Sequence, residues 1–179
     1  MQRTGSGEFD DLRAAVRDVP GFPKPGINFK DITPLLGDPS LFARATDAMA
    51  EPFRTARITH VAAIESRGFI LGAPVARLLG AGFIPVRKRG KLPYRTEAIE
   101  YALEYGTDHL EVHIDACTAG ARVLVVDDVL ATGGTAAAAC ALVERVGATV
   151  VGCVFLLGLA ALGGEARLAG REVRILLNF

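Results

Sequence analysis

Apolar positions along this chain follow two regimes. Residues 10–19 set Leu12, Val16 and Val19 at i, i+4 and i+7, one stripe of a helix, and predict a short amphipathic helix there. Pro20-Gly21-Phe22-Pro23-Lys24-Pro25-Gly26 ends it, because so many prolines and glycines continue neither a helix nor a sheet interior. Asp38-Pro39 then reads as an N-cap with proline at the first helical position. It opens a longer helix with Leu41, Phe42, Ala45, Met49 and Phe53 on the buried face. From His60 onward the pattern changes to short β-branched runs at 61–64, 83–86, 122–126, 149–157 and 173–177, with helical stretches at 69–79 and 135–146. Strand, helix, strand in repetition predicts right-handed crossovers and an α/β fold, a mainly parallel sheet flanked by helices. Ligands on such sheets bind at the carboxyl ends of the strands.

Residues 88–113 interrupt that alternation with a polar, charged stretch carrying Tyr94, Tyr101 and Tyr105. Its length exceeds an ordinary connection and predicts a binding loop, a lid or an excursion hairpin.

With 179 residues and 50% hydrophobic composition, the chain reads as one domain, residues 1–179, with a packed core. Twenty Lys+Arg balance twenty Asp+Glu, so no global field gathers nucleic acid or an anionic membrane, and any anion site must be local. Cys117, Cys140 and Cys153 are odd in number and lack a metal-ligand spacing, which favours free thiols in a cytoplasmic protein over a disulfide framework or a zinc site. Residues 1–11 contain no apolar stretch of signal-peptide type. Residues 146–164 are uncharged, yet five glycines divide them, and Val150-Val151 with Val154-Phe155-Leu156-Leu157 reads as a doubly buried strand instead of a membrane span.

The chemistry concentrates in Val123-Leu124-Val125-Val126-Asp127-Asp128-Val129-Leu130-Ala131-Thr132-Gly133-Gly134-Thr135. A buried strand delivers two carboxylates, and small residues, two glycines and two hydroxyls then open a helix. Glycines let backbone N–H groups face a phosphate, the helix N-terminus adds partial positive charge, and Thr132 and Thr135 supply hydroxyl donors. Adjacent Asp127 and Asp128 suit vicinal hydroxyls or a hydrated Mg²⁺. The plainer alternative is that Asp128 caps a turn and the glycines only join strand to helix. No lysine follows the glycines and the spacing is not GxGxxG, so neither a Walker loop nor a dinucleotide fingerprint is present. Glu65-Ser66-Arg67-Gly68 lies between strand 61–64 and the next helix, which turns its amides and Arg67 to the same sheet edge. Arg87, Lys88, Arg89 and Lys91 gather enough cations to compensate a diphosphate, a solvated surface run being the alternative.

The 123–135 string resembles the 5-phosphoribosyl 1-diphosphate (PRPP) motif of type I phosphoribosyltransferases. Phe22-Pro23-Lys24-Pro25-Gly26-Ile27-Asn28-Phe29-Lys30-Asp31-Ile32-Thr33-Pro34-Leu35-Leu36, Glu65-Ser66-Arg67-Gly68-Phe69 and Arg87-Lys88-Arg89-Gly90-Lys91-Leu92-Pro93 narrow the resemblance to the adenine phosphoribosyltransferase family, over residues 22–154.

That resemblance implies the type I phosphoribosyltransferase fold and a purine-salvage reaction in which adenine and PRPP give AMP and diphosphate, with Mg²⁺ as cofactor and a homodimer as the assembly. It implies that Asp127 and Asp128 hold the ribose, that Ala131, Thr132, Gly133, Gly134 and Thr135 hold the 5′-phosphate, and that Ser66, Arg67, Arg87, Lys88 and Lys91 hold the diphosphate. Glu104, in the excursion, matches the family's glutamate over the reacting nucleotide and would serve as general base. Phe29 would stack on adenine, the main chain at Asn28 and Lys30 would read its edge, and Leu159 would form the opposite wall. Two departures stand out: Ala63 where many relatives carry glycine, and Gly158 where relatives commonly carry an acidic residue. A PRPP-sensing regulator and a phosphoribosyltransferase for another purine are the rival readings. The Phe29 segment and the presence of Glu104 argue against them, and no basic nucleic-acid surface accompanies the chain.

Overall fold

In the computed structural model the described residues are 7–102 and 107–179. They fall into two compact units that divide between Ala48 and Met49.

In the first unit, helix α1 (Asp10–Ala14) is followed by strand β1 (Arg17–Pro20), strand β2 (Asn28–Asp31), helix α2 (Thr33–Gly37) and the start of helix α3 (Pro39–Ala50). The expected helix over 10–19 therefore stops early. Of its apolar stripe only Leu12 is fully buried, and residues 17–20 pair antiparallel with β2 instead, Val19 opposite Phe29 and Pro20 opposite Asn28. Cross-strand chemistry outweighs the weak helical stripe here: Arg17 Nη2 meets Asp31 Oδ2 at 2.7 Å, and the Gly21 N–H closes the Pro-rich connection onto the Ile27 carbonyl at 2.7 Å. Asp38 is the expected cap, its Oδ1 accepting the Ser40 and Leu41 N–H groups at 2.8 and 3.0 Å.

The second unit is built on a seven-stranded sheet of order β5-β6-β4-β3-β7-β8-β9. Strands β3 (His60–Ile64), β4 (Gly82–Lys88), β7 (Arg122–Leu130), β8 (Thr149–Gly158) and β9 (Glu172–Asn178) run parallel. The excursion is an antiparallel hairpin, β5 (Thr96–Ala102) with β6 (Thr107–His113), attached to the end of β4 through the pairs Arg87–Glu111 and Lys88–Leu110.

Helices cover both faces. Helix α5 (Gly134–Arg145) buries Ala139, Leu142 and Val143 in one cluster with Ala62, Ile64, Val123, Val125 and Phe155. Helix α4 (Arg67–Leu79) lies on the opposite face, where a Cβ at Gly72 would come within 2.5 Å of Ala63 Cβ and 3.6 Å of Val61 Cγ1. The Ala63 methyl thus sits directly under a helical glycine that makes room for it. Val123, Leu124, Val125 and Val126 are fully buried, each worth about 1.5–3 kcal/mol relative to exposure. The uncharged segment 146–164 is largely β8, and among the described residues no helix is long and apolar enough to cross a membrane.

Candidate active site

Pairing of β7 with β3 ends at Ala63–Val126, whereas pairing with β8 continues to Leu130–Gly158. The sequence predicts that the two carboxylates follow the strand. They lie within it instead, on the stretch that outruns β3 at the carboxyl edge of the sheet. That step opens a cavity of about 640 Å³, lined by Glu65, Ser66, Arg67, Lys88, Lys91, Tyr101, Asp108, Asp127, Asp128, Ala131 and Thr135 among others.

Asp128 is 5% exposed, and its Oδ2 lies 2.7 Å from Arg67 Nε. Asp127 is wedged beneath the start of α4. A Cβ on Gly68 would stand 2.8 Å from Asp127 Oδ1 and 3.1 Å from the Val126 carbonyl, so the glycine after Arg67 is required by this approach. Burial, and then the Asp128 charge, push the Asp127 carboxyl well above the ordinary carboxylate range. Burial also raises Asp128, with Arg67 opposing the shift. Two adjacent carboxylates in this condition stabilise nothing by themselves and are suited to a ligand that brings hydroxyl donors or a cation.

The 131–135 turn continues from them into α5. Gly133 is the N-cap at φ +80°, left-handed backbone that favours glycine. Asp127, Ala131, Thr132, Gly133 and Thr135 line an adjoining hollow of about 80 Å³ at the α5 N-terminus, where N–H groups and the helix dipole favour an anion. Gly134 is the first residue of the helix. The turn is braced from behind by Gly164: a Cβ there would overlap the Ala131 carbonyl oxygen and stand 3.0 Å from the Gly133 nitrogen.

The other wall is basic. Lys88 Nζ pairs with Asp108 Oδ2 at 3.2 Å and Lys91 Nζ with Glu65 Oε1 at 2.5 Å. Arg87 does not line the cavity; its Nη1 donates to the Lys91 carbonyl at 2.9 Å and its Nε to Glu65 Oε2 at 3.3 Å. Tyr101 spans the hairpin and the 131–135 turn, accepting from Thr135 Oγ1 at 3.4 Å and lying 3.5 Å from Asp108 Oδ2.

Of the sequence-predicted residues, Ser66, Arg67, Lys88, Lys91, Asp127, Asp128, Ala131 and Thr135 meet around one cavity, and Thr132 and Gly133 line the hollow beside it. Leu159 lies elsewhere, in a separate cavity of about 210 Å³ with Gly158, Ile175 and Asn178. There the place of a side chain at Gly158 is taken by Asn178 Oδ1, 2.7 Å from the Cβ position, and by Ile175 Cγ2 at 2.8 Å. Asn28, Phe29 and Lys30 belong to the first unit, where Asn28 Nδ2 donates to Asp18 Oδ1 at 3.1 Å, Lys30 Nζ pairs with the same Asp18, and Phe29 meets Phe22 edge-on at 5.2 Å. Glu104 lies outside the described residues. Sequence reasoning missed Glu65, Tyr101, Asp108 and Gly164. The Gly163-Gly164 doublet is the signal that could have found the last of these.

Among the described residues no group of three or more His, Cys, Asp or Glu is placed to hold a metal ion. Asp127 and Asp128 nevertheless fit Mg²⁺, which commonly takes one or two protein carboxylates and completes its shell with substrate phosphates and water. A cation beside them would also offset the burial that disfavours their ionisation.

Residues 33–173 match the family described as phosphoribosyl transferase domain. An adenine phosphoribosyltransferase of Myxococcus xanthus is 59% identical over 169 residues, 94% of this chain and 92% of that one. The crystal structure of adenine phosphoribosyltransferase from Rhodothermus marinus superposes with a TM-score of 0.92 at 57% identity, over 96% of this chain and 98% of that one. The Saccharomyces cerevisiae enzyme, solved with an imino-altritol bisphosphate and adenine, gives 0.88 at 40% identity over 93% and 97% of the two chains.

Proposed function

Because this chain belongs to the phosphoribosyl transferase family, in its adenine phosphoribosyltransferase branch, we propose that it transfers the 5-phosphoribosyl group from PRPP to adenine, giving AMP and diphosphate. The observation that carries the reading is the meeting of Asp127 and Asp128 with Arg67, Lys88 and Lys91 around one cavity that opens onto the α5 N-terminus. An acidic pair, a basic wall and a helix N-terminus are the three partners that a ribose, a diphosphate and a 5′-phosphate require. The family match spans residues 33–173, which supports treating residues 1–179 as one functional domain.

In the reaction, adenine N9 forms a bond to C1′ as the bond from C1′ to the diphosphate oxygen breaks, and a ring proton leaves the base. Positive charge builds on C1′, so ionised Asp127 and Asp128 favour that state over the resting sugar. Ser66, Arg67, Lys88 and Lys91, with Arg87 behind them, take the charge of the departing diphosphate. Mg²⁺, when bound, adds to that neutralisation, with Asp127 and Asp128 as the residues to hold it. The 131–135 turn fixes the 5′-phosphate and thereby the distance of C1′ from the base. Family resemblance supports Glu104 as the acceptor of the ring proton, Phe29 as the stacking partner of the purine, and main-chain groups at Asn28 and Lys30 as readers of its edge. Homodimer assembly rests on the same resemblance, and a reducing, cytoplasmic setting on three free thiols.

The test is product formation with PRPP, Mg²⁺ and adenine, hypoxanthine, guanine or xanthine in turn, beside an Asp127→Asn/Asp128→Asn double variant. AMP from adenine alone, lost in the variant, is expected. No turnover with any base, despite stabilisation by PRPP, refutes the reading in favour of a PRPP sensor.

A further inference from the structure

Glu65 directly follows β3 on the cavity wall and has no part in the proposed chemistry. Its side chain is 8% exposed and both oxygens are engaged. Oε1 takes Lys91 Nζ at 2.5 Å, while Oε2 accepts Arg87 Nε at 3.3 Å and the Lys88 backbone N–H at 3.1 Å. Glu111, from β6, adds a second buried carboxylate under the same loop, its Oε2 accepting the Gly90 N–H at 3.0 Å.

A carboxylate on the wall of a diphosphate site repels the ligand, so its presence needs a compensating effect. One Glu65 charge is shared by two cations, so Arg87 and Lys91 retain an excess positive charge while their mutual repulsion is relieved. Lysine carries much rotamer freedom on a flexible stem, and ordering it before binding removes that cost from the binding step. Burial opposes ionisation of Glu65, yet the Lys91 ammonium, the Lys88 N–H and the Arg87 guanidinium hold its carboxyl down to about 2, so the clamp stays charged across the neutral range.

We propose that Glu65 is a positioning residue for the diphosphate end of the substrate, fixing the Lys91 ammonium and the Lys88 main chain on the cavity wall before the ligand arrives and so setting affinity for diphosphate-bearing ligands independently of the base. This rests on the reading of Arg87, Lys88 and Lys91 as the diphosphate cations, and the test separates the two ideas.

Full-length Glu65→Gln, Glu65→Asp and Lys91→Met are compared with the parent in Mg²⁺ buffer, measuring the Kd of inorganic diphosphate by calorimetry, KM for PRPP and for adenine, kcat and Tm. Glu65→Gln is expected to weaken diphosphate about tenfold and raise KM for PRPP in parallel, with KM for adenine within about twofold, as for loss of one charge-assisted hydrogen bond. Glu65→Asp, which keeps the charge with a shorter reach, recovers part of the loss. Should Lys91→Met leave diphosphate binding unchanged, the cation assignment falls and takes the proposal with it. If Lys91→Met weakens diphosphate but Glu65→Gln leaves it unchanged or tightens it, the cations stand and the positioning role of Glu65 is overturned. Should Glu65→Gln fail to fold, Glu65→Asp decides: it keeps the charge but draws the carboxylate back by one methylene from Lys91 Nζ, weakening diphosphate about threefold if the clamp positions the lysine and not at all if the proposal is wrong.

Discussion

Alanine at Gly164 perturbs the 131–135 turn, the proposed 5′-phosphate site, without replacing a residue of the turn itself. The Gly164 backbone lies outside the left-handed region, so the substitution carries no φ penalty. Its new Cβ would overlap the Ala131 carbonyl oxygen and approach the Gly133 nitrogen to 3.0 Å and the Ala131 carbonyl carbon to 3.1 Å. All three are backbone atoms, so relief comes only by moving the 131–133 turn or the segment that begins at Gly164. Overpacking of this kind costs about 1–3 kcal/mol. At about 2–4 °C per kcal/mol for a chain of this size, Tm falls by about 2–12 °C. Displacement of the turn by about 1 Å lowers kcat/KM for PRPP by as much as about a hundredfold, while KM for adenine changes little.

Two companion variants divide the effect. Gly133→Ala combines φ +80° with overlap against the Gly164 carbonyl oxygen and a 3.2 Å approach to Arg167 Cβ, and should be the worst of the three in both stability and PRPP kinetics. Gly120→Ala has φ +79° with nothing within 4 Å, so it loses about 1–2 kcal/mol of stability and leaves the kinetics alone. Thermal unfolding and initial rates against PRPP read all three. A Gly164→Ala protein with the parent's Tm and kcat/KM refutes the account, since nothing but contact with the turn distinguishes that site.

Asp127→Asn should stabilise the fold at neutral pH while lowering kcat/KM by about 10²–10³. The Asp127 carboxyl is raised above its usual 3.8 on folding, so the parent's stability falls as pH climbs from about that value through the raised one, and the asparagine variant shows a flatter profile in urea titrations. Glu65 has the opposite sign: its carboxyl is lowered from 4.5 to about 2, so its stabilisation is complete above about pH 4.5 and lost as pH falls through about 2, where parent and Glu65→Gln converge. Arg67→Met leaves Asp128 buried beside Asp127 and should cost about 1–2 kcal/mol by chemical denaturation, discounted because Arg67 is 35% exposed, with a larger loss in PRPP affinity. Phe29→Ala is expected to raise KM for adenine about tenfold and leave KM for PRPP unchanged in steady-state rates, as for loss of one base–aromatic stack.

The second unit was the legible part of the sequence, because runs such as Val123-Leu124-Val125-Val126 have no stable alternative to a doubly covered strand. The first unit misled at residues 15–20, where a three-residue stripe looked helical but the cross-strand partner Asp31 lies far ahead in the chain, beyond the reach of local periodicity. Within the site, Asp127, Asp128 and the 131–135 turn were legible because their chemistry is contiguous. Glu65 stands in the 65–68 motif with no role legible there, since its partners Arg87, Lys88 and Lys91 follow more than twenty residues later and only the parallel pairing of β3 with β4 brings them together. Gly164 escaped for the same reason, its contact being with a turn on another strand.

Several local departures from good packing meet at one edge of the sheet. Two carboxylates interrupt the buried β7, a glycine lies in the first turn of α4 where a methyl would strike Asp127, a left-handed glycine caps α5, and a third glycine supports it from behind. Each is unfavourable taken alone, by burial of charge or by loss of a side chain, and each lines or supports the wall of the same pair of adjoining cavities. Glycine contacts as close occur elsewhere in the service of packing, as at Gly72 over Ala63, and carboxylates elsewhere are paired off, as Asp38 is with the α3 N-terminus. On the proposed function, the meeting of buried carboxylates with a glycine-capped helix N-terminus is what gives this edge its use: the stability given up there goes to holding anionic and hydroxyl-bearing groups of one ligand in fixed relation.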